Sequence, residues 1–179
     1  MSDNIIVLKL VLLGDSAVGK TSLIDMYAHH QFKEDYKPTL GVNIVVKELE
    51  NENTQIRLII WDIAGQEKYD LSRKMFFQGV LGALFVYDTT RHATFKNIES
   101  KWLEDLNQYG GRNLAYVLIG NKIDLKDSRA VSSEEGRALA DKIHATEFIE
   151  TSAKYGDNVE KAFEKIVFQI LKNEGIEYY

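Results

Sequence analysis

The chain has 179 residues, of which 45% are hydrophobic and 27% charged, and its formal net charge is -5. This length fits one globular domain spanning residues 1–179, and the acidic balance argues against a broad basic surface for nucleic acid. There is no cysteine, which excludes disulfides, thiolate metal sites, cysteine nucleophiles and cysteine-linked lipids.

The N-terminal residues have no features of a targeting signal. Met1-Ser2-Asp3-Asn4 lacks a basic region, and Ser2 occupies the position where myristoylation needs glycine. Ile5 to Leu13 is the most apolar stretch, but it is too short to span a bilayer and contains Lys9. We expect a monomeric, cytoplasmic protein with no direct membrane anchor in this chain. It would be peripheral to a membrane only through a lipidated tail or a partner that this sequence lacks.

The first half of the chain predicts a strand, a helix and a hairpin. Ile5 to Leu13 is a nearly continuous apolar run, typical of a parallel strand covered on both faces. A glycine-bearing loop follows, and then a helical pattern from about Thr21 to His30. Val42 to Leu49 and Thr54 to Asp62 flank a polar turn at 51–53, which predicts a β-hairpin.

The second half alternates strands with helices. The predicted segments are Gly82 to Asp88 (strand), Thr94 to Tyr109 (helix), Leu114 to Ile119 (strand), Ser132 to Ile143 (helix), Glu147 to Glu150 (strand) and a last helix from Asp157 or Asn158. Ser132 and Glu135 have the spacing of a capping box. This alternation predicts one α/β domain with a mainly parallel sheet.

A phosphate-binding loop is predicted between the first strand and the first helix. Gly14-Asp15-Ser16-Ala17-Val18-Gly19-Lys20-Thr21 fits G-x-x-x-x-G-K-[ST] at every fixed position, in the strand–loop–helix context that the motif requires. Its glycines tolerate the dihedral angles of a backbone turned around a phosphate. The amides from Ala17 to Ser22 would point at the phosphates, Lys20 would reach the β- and γ-phosphates, and the Thr21 hydroxyl would ligate Mg²⁺. Alone, the motif predicts only a P-loop nucleotide binder, since ATP-using kinases and ATPases share it.

Two later loops have the chemistry to recognise guanine. In Asn121-Lys122-Ile123-Asp124, the Asp124 carboxylate can accept from N1–H and from the N2 amine of guanine, two donors that adenine lacks. The stem of Lys122 can lie against the base, and Asn121 can brace the loops. Glu150-Thr151-Ser152-Ala153-Lys154 ends another strand, and its amides, chiefly that of Ala153, can donate to guanine O6. All three loops follow strand ends, where doubly wound sheets bind ligands.

Together these motifs resemble those of the small GTPases of the Ras superfamily. The resemblance runs from about Ile6 to Leu171 and implies a P-loop NTPase fold: six mainly parallel strands, one of them antiparallel, with five helices on both faces. It also implies GTP and GDP as substrate and product, and Mg²⁺ as cofactor.

Within that superfamily the chain is most similar to the Rab branch. The Rab-like features are Gly14-Asp15-Ser16, Thr39-Leu40-Gly41-Val42, Ile60-Trp61-Asp62, Val86-Tyr87-Asp88, Phe95, Asn97 and Trp102. Three features depart from the Rab pattern: Ile44 replaces a usual aromatic, Ile63 replaces a threonine, and the segment from Tyr69 to Lys74 is not typical. These departures are expected to shape effector surfaces.

The resemblance also implies two switch segments, at about 31–41 and 63–74, that differ between nucleotide states. In the first, Phe32 would pack against the edge of guanine and Tyr36 would cover the phosphates. Thr39 would close over Mg²⁺ and the γ-phosphate. Effectors, GTPase-activating proteins and exchange proteins would recognise these segments.

The catalytic and metal-binding candidates follow from the same resemblance. Asp62 joins Thr21 and Thr39 as a metal-binding residue, and the Gly65 amide would meet the γ-phosphate. Gln66 would orient the attacking water, as the corresponding glutamine does in Ras. The catalytic candidates are therefore Gln66, Lys20 and Thr39.

Three activities compete as interpretations of these motifs. The first is a GTP hydrolase that acts as a switch in Rab-like trafficking or signalling. The second is a guanine-nucleotide-binding module with negligible turnover, against which the intact Gln66, Thr39 and Gly65 argue. The third is a P-loop kinase, which the guanine-type base motif and the lack of an arginine-rich lid disfavour.

Overall fold

One six-stranded sheet organises the computed structural model, which describes residues 5–35, 39–50, 54–65 and 73–176. The strands are β1 (Ile5–Leu13), β2 (Val42–Glu50), β3 (Gln55–Ile63), β4 (Gly82–Asp88), β5 (Ala115–Asn121) and β6 (Glu147–Thr151). Their order across the sheet is β2-β3-β1-β4-β5-β6. Every neighbouring pair is parallel except β2 and β3, which are antiparallel. The predicted mainly parallel sheet with one antiparallel strand is confirmed.

The helices follow the predicted alternation, except that the helix after β4 differs and two short helices were not predicted. They are α1 (Lys20–His29), α2 (Arg73–Phe77), α3 (His92–Asn97), α4 (Glu104–Tyr109), α5 (Ser133–Lys142) and α6 (Val159–Asn173). The helix predicted at Thr94 to Tyr109 begins earlier, at His92, and a π-helical segment, Ile98–Leu103, joins α3 to α4. The short helix α2 was not predicted. A 3-10 helix, Lys126–Ser128, was also not predicted.

The predicted capping box at the start of α5 is confirmed. The Ser132 hydroxyl accepts from the Glu135 amide, and the Glu135 carboxylate accepts from the Ser132 amide at 2.8 Å. Two backbone amides that the helix leaves without intrahelical partners are thereby satisfied.

Two apolar layers cover the two faces of the sheet. β1 serves both, because Leu8, Leu10 and Leu12 join the layer under α1 and α6, whereas Val11 and Leu13 join the other. Successive side chains of a strand point to opposite faces, so a strand covered on both sides has to be apolar at nearly every position. Ile63, expected to shape an effector surface, is instead 2% exposed and packs in the second layer.

The register of the parallel strands aligns polar residues at one edge of the sheet. Asp88 is paired with Asn121, and Asn121 with Thr151, at the carboxyl ends of β4, β5 and β6. The loop after β1 emerges at the same edge, so the predicted motifs meet there. Among the described residues, no helix combines the length and the apolar character that crossing a membrane requires.

Candidate nucleotide-binding site

A cavity of about 1030 Å³ opens at the carboxyl edge of the sheet. Its walls come from the phosphate loop, the first turns of α1, the segment after α1 and the loops after β5 and β6. The lining residues are Ser16, Ala17, Gly19, Lys20, Thr21, Ser22, Asp25, Phe32, Lys33, Glu34, Asp35, Thr39, Gly65, Asn121, Lys122, Asp124, Leu125, Ala153 and Lys154. Three loops from distant parts of the sequence therefore enclose one space.

Most of the predicted site residues are among those that line this cavity. Gly14, Asp15, Val18, Asp62 and Ser152 are not, although all five are buried or half-buried. Tyr36 and Gln66 fall outside the described residues. Leu125, which lines the cavity, was not predicted, although it directly follows Asp124 and its position could have indicated it.

The phosphate loop holds a tight, partly left-handed backbone. Ala17 has φ 62° and Gly19 has φ 101°, a region that residues other than glycine rarely adopt. A Cβ at Gly19 would also overlap the Asn121 amide nitrogen. Gly19 is the N-cap of α1, so the positive end of the helix dipole faces the cavity, as anion binding requires.

The buried side chain of Lys20 hydrogen-bonds to the backbone of this loop. Its ammonium donates to the carbonyl oxygens of Gly14 at 2.7 Å and Asp15 at 2.9 Å, and the residue is only 6% exposed. Burial lowers the pKa of Lys20 to about 8, although the nearby carboxylates of Asp62 and Asp15 partly offset the effect. A phosphate group in the cavity would supply the negative charge that this buried cation lacks.

Thr21, Thr39 and Asp62 meet at one wall of the site. The two threonine hydroxyls are 2.9 Å apart, Thr21 donates to Asp62 Oδ2, and Thr39 lies 3.4 Å from the same oxygen. Burial raises the pKa of Asp62, and hydrogen bonds from both threonines and the charge of Lys20 oppose that shift.

This arrangement fits a magnesium ion. Asp62 is 1% exposed, and its Oδ1 has no hydrogen-bond partner among the described residues. A buried carboxylate oxygen without a partner is costly, and two hydroxyls beside a carboxylate are the hard oxygen donors that Mg²⁺ takes together with phosphates.

The Asn121 side chain hydrogen-bonds both to the phosphate loop and to the end of β6 and the loop after it. Its Nδ2 donates to the Val18 carbonyl at 2.9 Å, and its Oδ1 accepts from the Thr151 hydroxyl at 3.0 Å and the Ala153 amide at 3.2 Å. The predicted bracing role of Asn121 matches this geometry. The Ala153 amide, however, was predicted to donate to guanine O6, and here Asn121 accepts from it.

A second set of contacts fixes the residues that were predicted to recognise the base. The Ser152 hydroxyl donates to Asp124 Oδ1 at 2.6 Å, which holds the carboxylate in place. Lys122 donates to the Ala17 carbonyl at 2.8 Å, and its ammonium lies 2.7 Å from Asp88 Oδ2. Burial alone would raise the pKa of Asp88, but hydrogen bonds from Lys122 and Thr90 outweigh it, and the pKa is lowered.

Asp88 and Arg91 support the site but were not predicted to do so. Arg91 bridges Asp88 Oδ2 at 3.1 Å and the Ser16 carbonyl at 3.0 Å. Asp88 could have been inferred from its place at the end of β4, beside the strands that carry the motifs. Arg91 had no such signal, because its contact spans 75 residues of sequence.

Phe32 and Gly65 lie where the predicted switch segments meet the cavity. Phe32 lines it and remains 37% exposed. Gly65 packs so closely on the phosphate loop that a Cβ there would overlap backbone atoms of Asp15 and Ser16. Only glycine permits this approach.

Fold and site together define a P-loop nucleotide-binding protein, since a glycine-bearing loop between a parallel strand and a helix faces a shared cavity. The family model described as "Ras family" matches residues 9–172. The Ras-related protein Rab11B of Nicotiana tabacum is 42% identical over 164 residues, covering 92% of this chain and 75% of that protein. The Ras-related protein RABA5b of Arabidopsis thaliana is 43% identical over 165 residues, again covering 92% and 75%.

This chain belongs to the Ras family. It is a small, Rab-like GTPase that binds GTP and GDP, hydrolyses GTP and acts as a switch in trafficking through regulators and effectors. The alternative of a binding module with negligible turnover is not favoured.

Proposed function

We propose that one guanine nucleotide occupies the cavity at the carboxyl edge of the sheet and that GTP is hydrolysed there with Mg²⁺. The observation that carries this proposal is the junction at Asn121, which joins the phosphate loop to both base-recognition loops. A single ligand that contacts all three loops would be a nucleotide with its phosphates at the phosphate loop and its base between Asp124 and Lys122.

In this arrangement the amides from Ala17 to Ser22 bind the α- and β-phosphates. Lys20 exchanges its contacts with the Gly14 and Asp15 carbonyls for the β- and γ-phosphates. Phe32 meets the edge of the base, and the Asp124 carboxylate, held by Ser152, accepts from N1–H and N2. The Ala153 amide already donates to Asn121 Oδ1. Guanine O6 would therefore share this donor with Asn121 or accept from a neighbouring amide of the loop.

The metal would be held by Thr21, with Asp62 behind it and Thr39 joining in the GTP state. Mg²⁺ held there would supply positive charge that offsets the negative charge of the phosphates. Gln66 orients the attacking water, and the Gly65 amide donates to the γ-phosphate. When the γ-phosphate leaves, Thr39 and Gly65 lose their ligands, and this loss reports the nucleotide state to effectors, activating proteins and exchange proteins at the two switch segments.

The remaining features of the proposal concern the whole chain. Residues 1–179 form one domain, which the single sheet running through the described residues supports. The protein acts as a monomer in the cytoplasm, and any membrane contact is peripheral and depends on a lipidated tail or a partner.

Mass spectrometry of the nucleotide released from purified protein, followed by timed GTP hydrolysis, tests this function. GDP or GTP is expected in near-equimolar amount, with slow conversion of added GTP that requires Mg²⁺. Adenine nucleotide in the purified protein, or guanine nucleotide that is never hydrolysed, would contradict the proposal.

A further inference from the structure

The Asp15 carboxylate accepts hydrogen bonds from two side chains of the helical stretch after β4. Trp102 Nε1 donates to Asp15 Oδ1 at 2.8 Å, and Asn97 Nδ2 donates to Asp15 Oδ2 at 2.7 Å. Trp102 is 1% exposed, so its indole is fixed by packing and not by this contact alone. A phosphate-loop side chain is thus tied to the helical stretch after β4.

The π-helical segment explains how both donors reach one carboxylate. Asn97 and Trp102 are five residues apart. In an α-helix, two side chains with this spacing point in directions that differ by about 140° around the helix axis. A π-helix closes its hydrogen bonds at i→i+5, which brings residues with this spacing nearly above one another. The segment Ile98–Leu103 begins just after Asn97 and contains Trp102. π-helical insertions frequently occur at functional sites.

The phosphate loop needs support of this kind. Ala17 has a positive φ, and such strained backbone persists only where its surroundings over-determine it. The carbonyls of Ser16, Ala17 and Val18 are each held by a side chain from another loop. At Asp15 the side chain is held in addition to the carbonyl, which accepts from Lys20.

The negative charge of Asp15 is a second reason why its carboxylate has to be held in place. An unrestrained carboxylate one residue from Ser16 could turn toward the phosphates and repel them. Two donors that satisfy both of its oxygens keep the negative charge on the far side of the loop.

We propose that Trp102 and Asn97 are positioning residues that act through Asp15 to hold the phosphate loop in its nucleotide-binding conformation and thereby slow nucleotide release. This inference rests on the proposed placement of the phosphates at residues 14–21. Trp102 is buried and Asn97 half-buried, and both contact the phosphate loop without lining the cavity.

The test is the release rate of a fluorescent GDP analogue from the full chain in the presence of Mg²⁺. Trp102→Phe keeps a buried aromatic side chain, although a smaller one, and removes the donor. Asn97→Ala removes the other donor at a half-buried position where folding is expected to persist. Each variant should release GDP about tenfold faster, the effect of losing a hydrogen bond to a charged acceptor. In the double variant Asp15→Ala/Trp102→Phe, release should be no faster than in Asp15→Ala, because both changes break the same contact.

Tyr116→Phe is the matched control. It removes a hydroxyl group that donates to the Ile143 carbonyl at 2.6 Å, in the same apolar layer but away from the phosphate loop. It should lower thermal stability without changing GDP release. Release within twofold of wild type in Trp102→Phe and Asn97→Ala, or purely additive effects in the double variant, would overturn the inference. Failure of the nucleotide placement itself would be seen separately, as unchanged GDP binding in Lys20→Ala.

Discussion

Lys20 is a buried cation whose pKa, about 8, sets a pH dependence for nucleotide binding. In the free protein the ammonium loses its proton above about pH 8, whereas bound phosphates favour the charged form. Binding of GDP at pH 9 should therefore take up a proton, and affinity should fall as pH rises above 8. In the unfolded chain this lysine has its ordinary pKa of 10.5, so it keeps its proton to a higher pH than in the folded protein. The unfolded state therefore binds more protons between pH 8 and 10.5, and in this range the nucleotide-free protein becomes more stable as the pH rises.

Calorimetric titration of nucleotide-free protein with GDP, in two buffers of different ionisation enthalpy, measures the number of protons taken up on binding. Lys20→Arg is the control, since a guanidinium stays charged at pH 9 and should take up no proton from this position. Proton uptake that is absent at pH 9 in the wild type would show that Lys20 keeps its charge in the free cavity.

Asp124 is expected to carry base specificity. Asn at this position offers an amide that can donate to O2 of xanthine but cannot accept both guanine donors. Asp124→Asn should weaken GDP binding by roughly a hundredfold and strengthen binding of xanthosine diphosphate. Competition against a fluorescent nucleotide measures both affinities. Asp127→Asn, an exposed neighbour outside the cavity wall, should leave both unchanged; wild-type selectivity in Asp124→Asn would refute the assignment.

At the scale of elements, two of the residues proposed to hold Mg²⁺ lie in different parts of the chain. Thr21 belongs to α1, and Thr39 belongs to a segment proposed to close only with GTP. Thr21→Asn should weaken GTP binding more than GDP binding, whereas Thr39→Ala should leave GDP affinity nearly unchanged and impair effector binding. Ser22→Ala, which keeps its backbone amide, is the control. Equal loss of GDP affinity in the two threonine variants would contradict this division.

The composition of the segment from Gln31 to Gly41 predicts a low rate of GTP hydrolysis. It contains Lys33 and Lys37 but no arginine, and a fixed arginine at the γ-phosphate is what accelerates GTP hydrolysis. Arg91 touches the phosphate loop, but Asp88 and the Ser16 carbonyl engage its guanidinium. Single-turnover hydrolysis should therefore be as slow as in Ras without an activating protein, on the order of 10⁻⁴ to 10⁻³ per second.

A partner that supplies an arginine should accelerate this reaction. Gln66→Leu should slow the unassisted reaction further, because the attacking water loses its orienting group. An unassisted rate near 1 per second, abolished by Arg73→Ala, would show instead that the arginine is supplied by this chain.

For the whole molecule, nucleotide and metal should act as stabilisers, because the site joins loops from both halves of the sheet. A ligand at a thousand times its dissociation constant adds about 4 kcal/mol to the free energy of unfolding, which is roughly 10 °C in Tm for a chain of this size. Thermal unfolding with GDP and Mg²⁺, GDP and EDTA, and ATP and Mg²⁺ measures this. The Tm should fall in that order, and an equal shift with ATP would contradict guanine specificity.

The order of strands and helices and the three ligand loops could be predicted from the sequence. Apolar runs such as Ile5–Leu13 identify strands because burial on both faces leaves few polar positions. The phosphate loop and the guanine motifs identify a site because phosphate and guanine constrain which residue types can bind them, whatever the surrounding fold. Residues 51–53, Tyr36 and Gln66, also predicted from sequence, lie outside the described residues, and their roles remain predictions.

Tertiary structure alone decided the contacts that hold this site in place. The bridge from Arg91 to Ser16, the bond from Trp102 to Asp15 and the capture of the Ala153 amide by Asn121 all join residues far apart in sequence. Local pattern carries no information about such pairs, because their geometry depends on how the strands are ordered and aligned. The π-helical turn at Ile98–Leu103 belongs here too, because the sequence pattern of these residues predicts an α-helix and only the tertiary structure shows the wider turn.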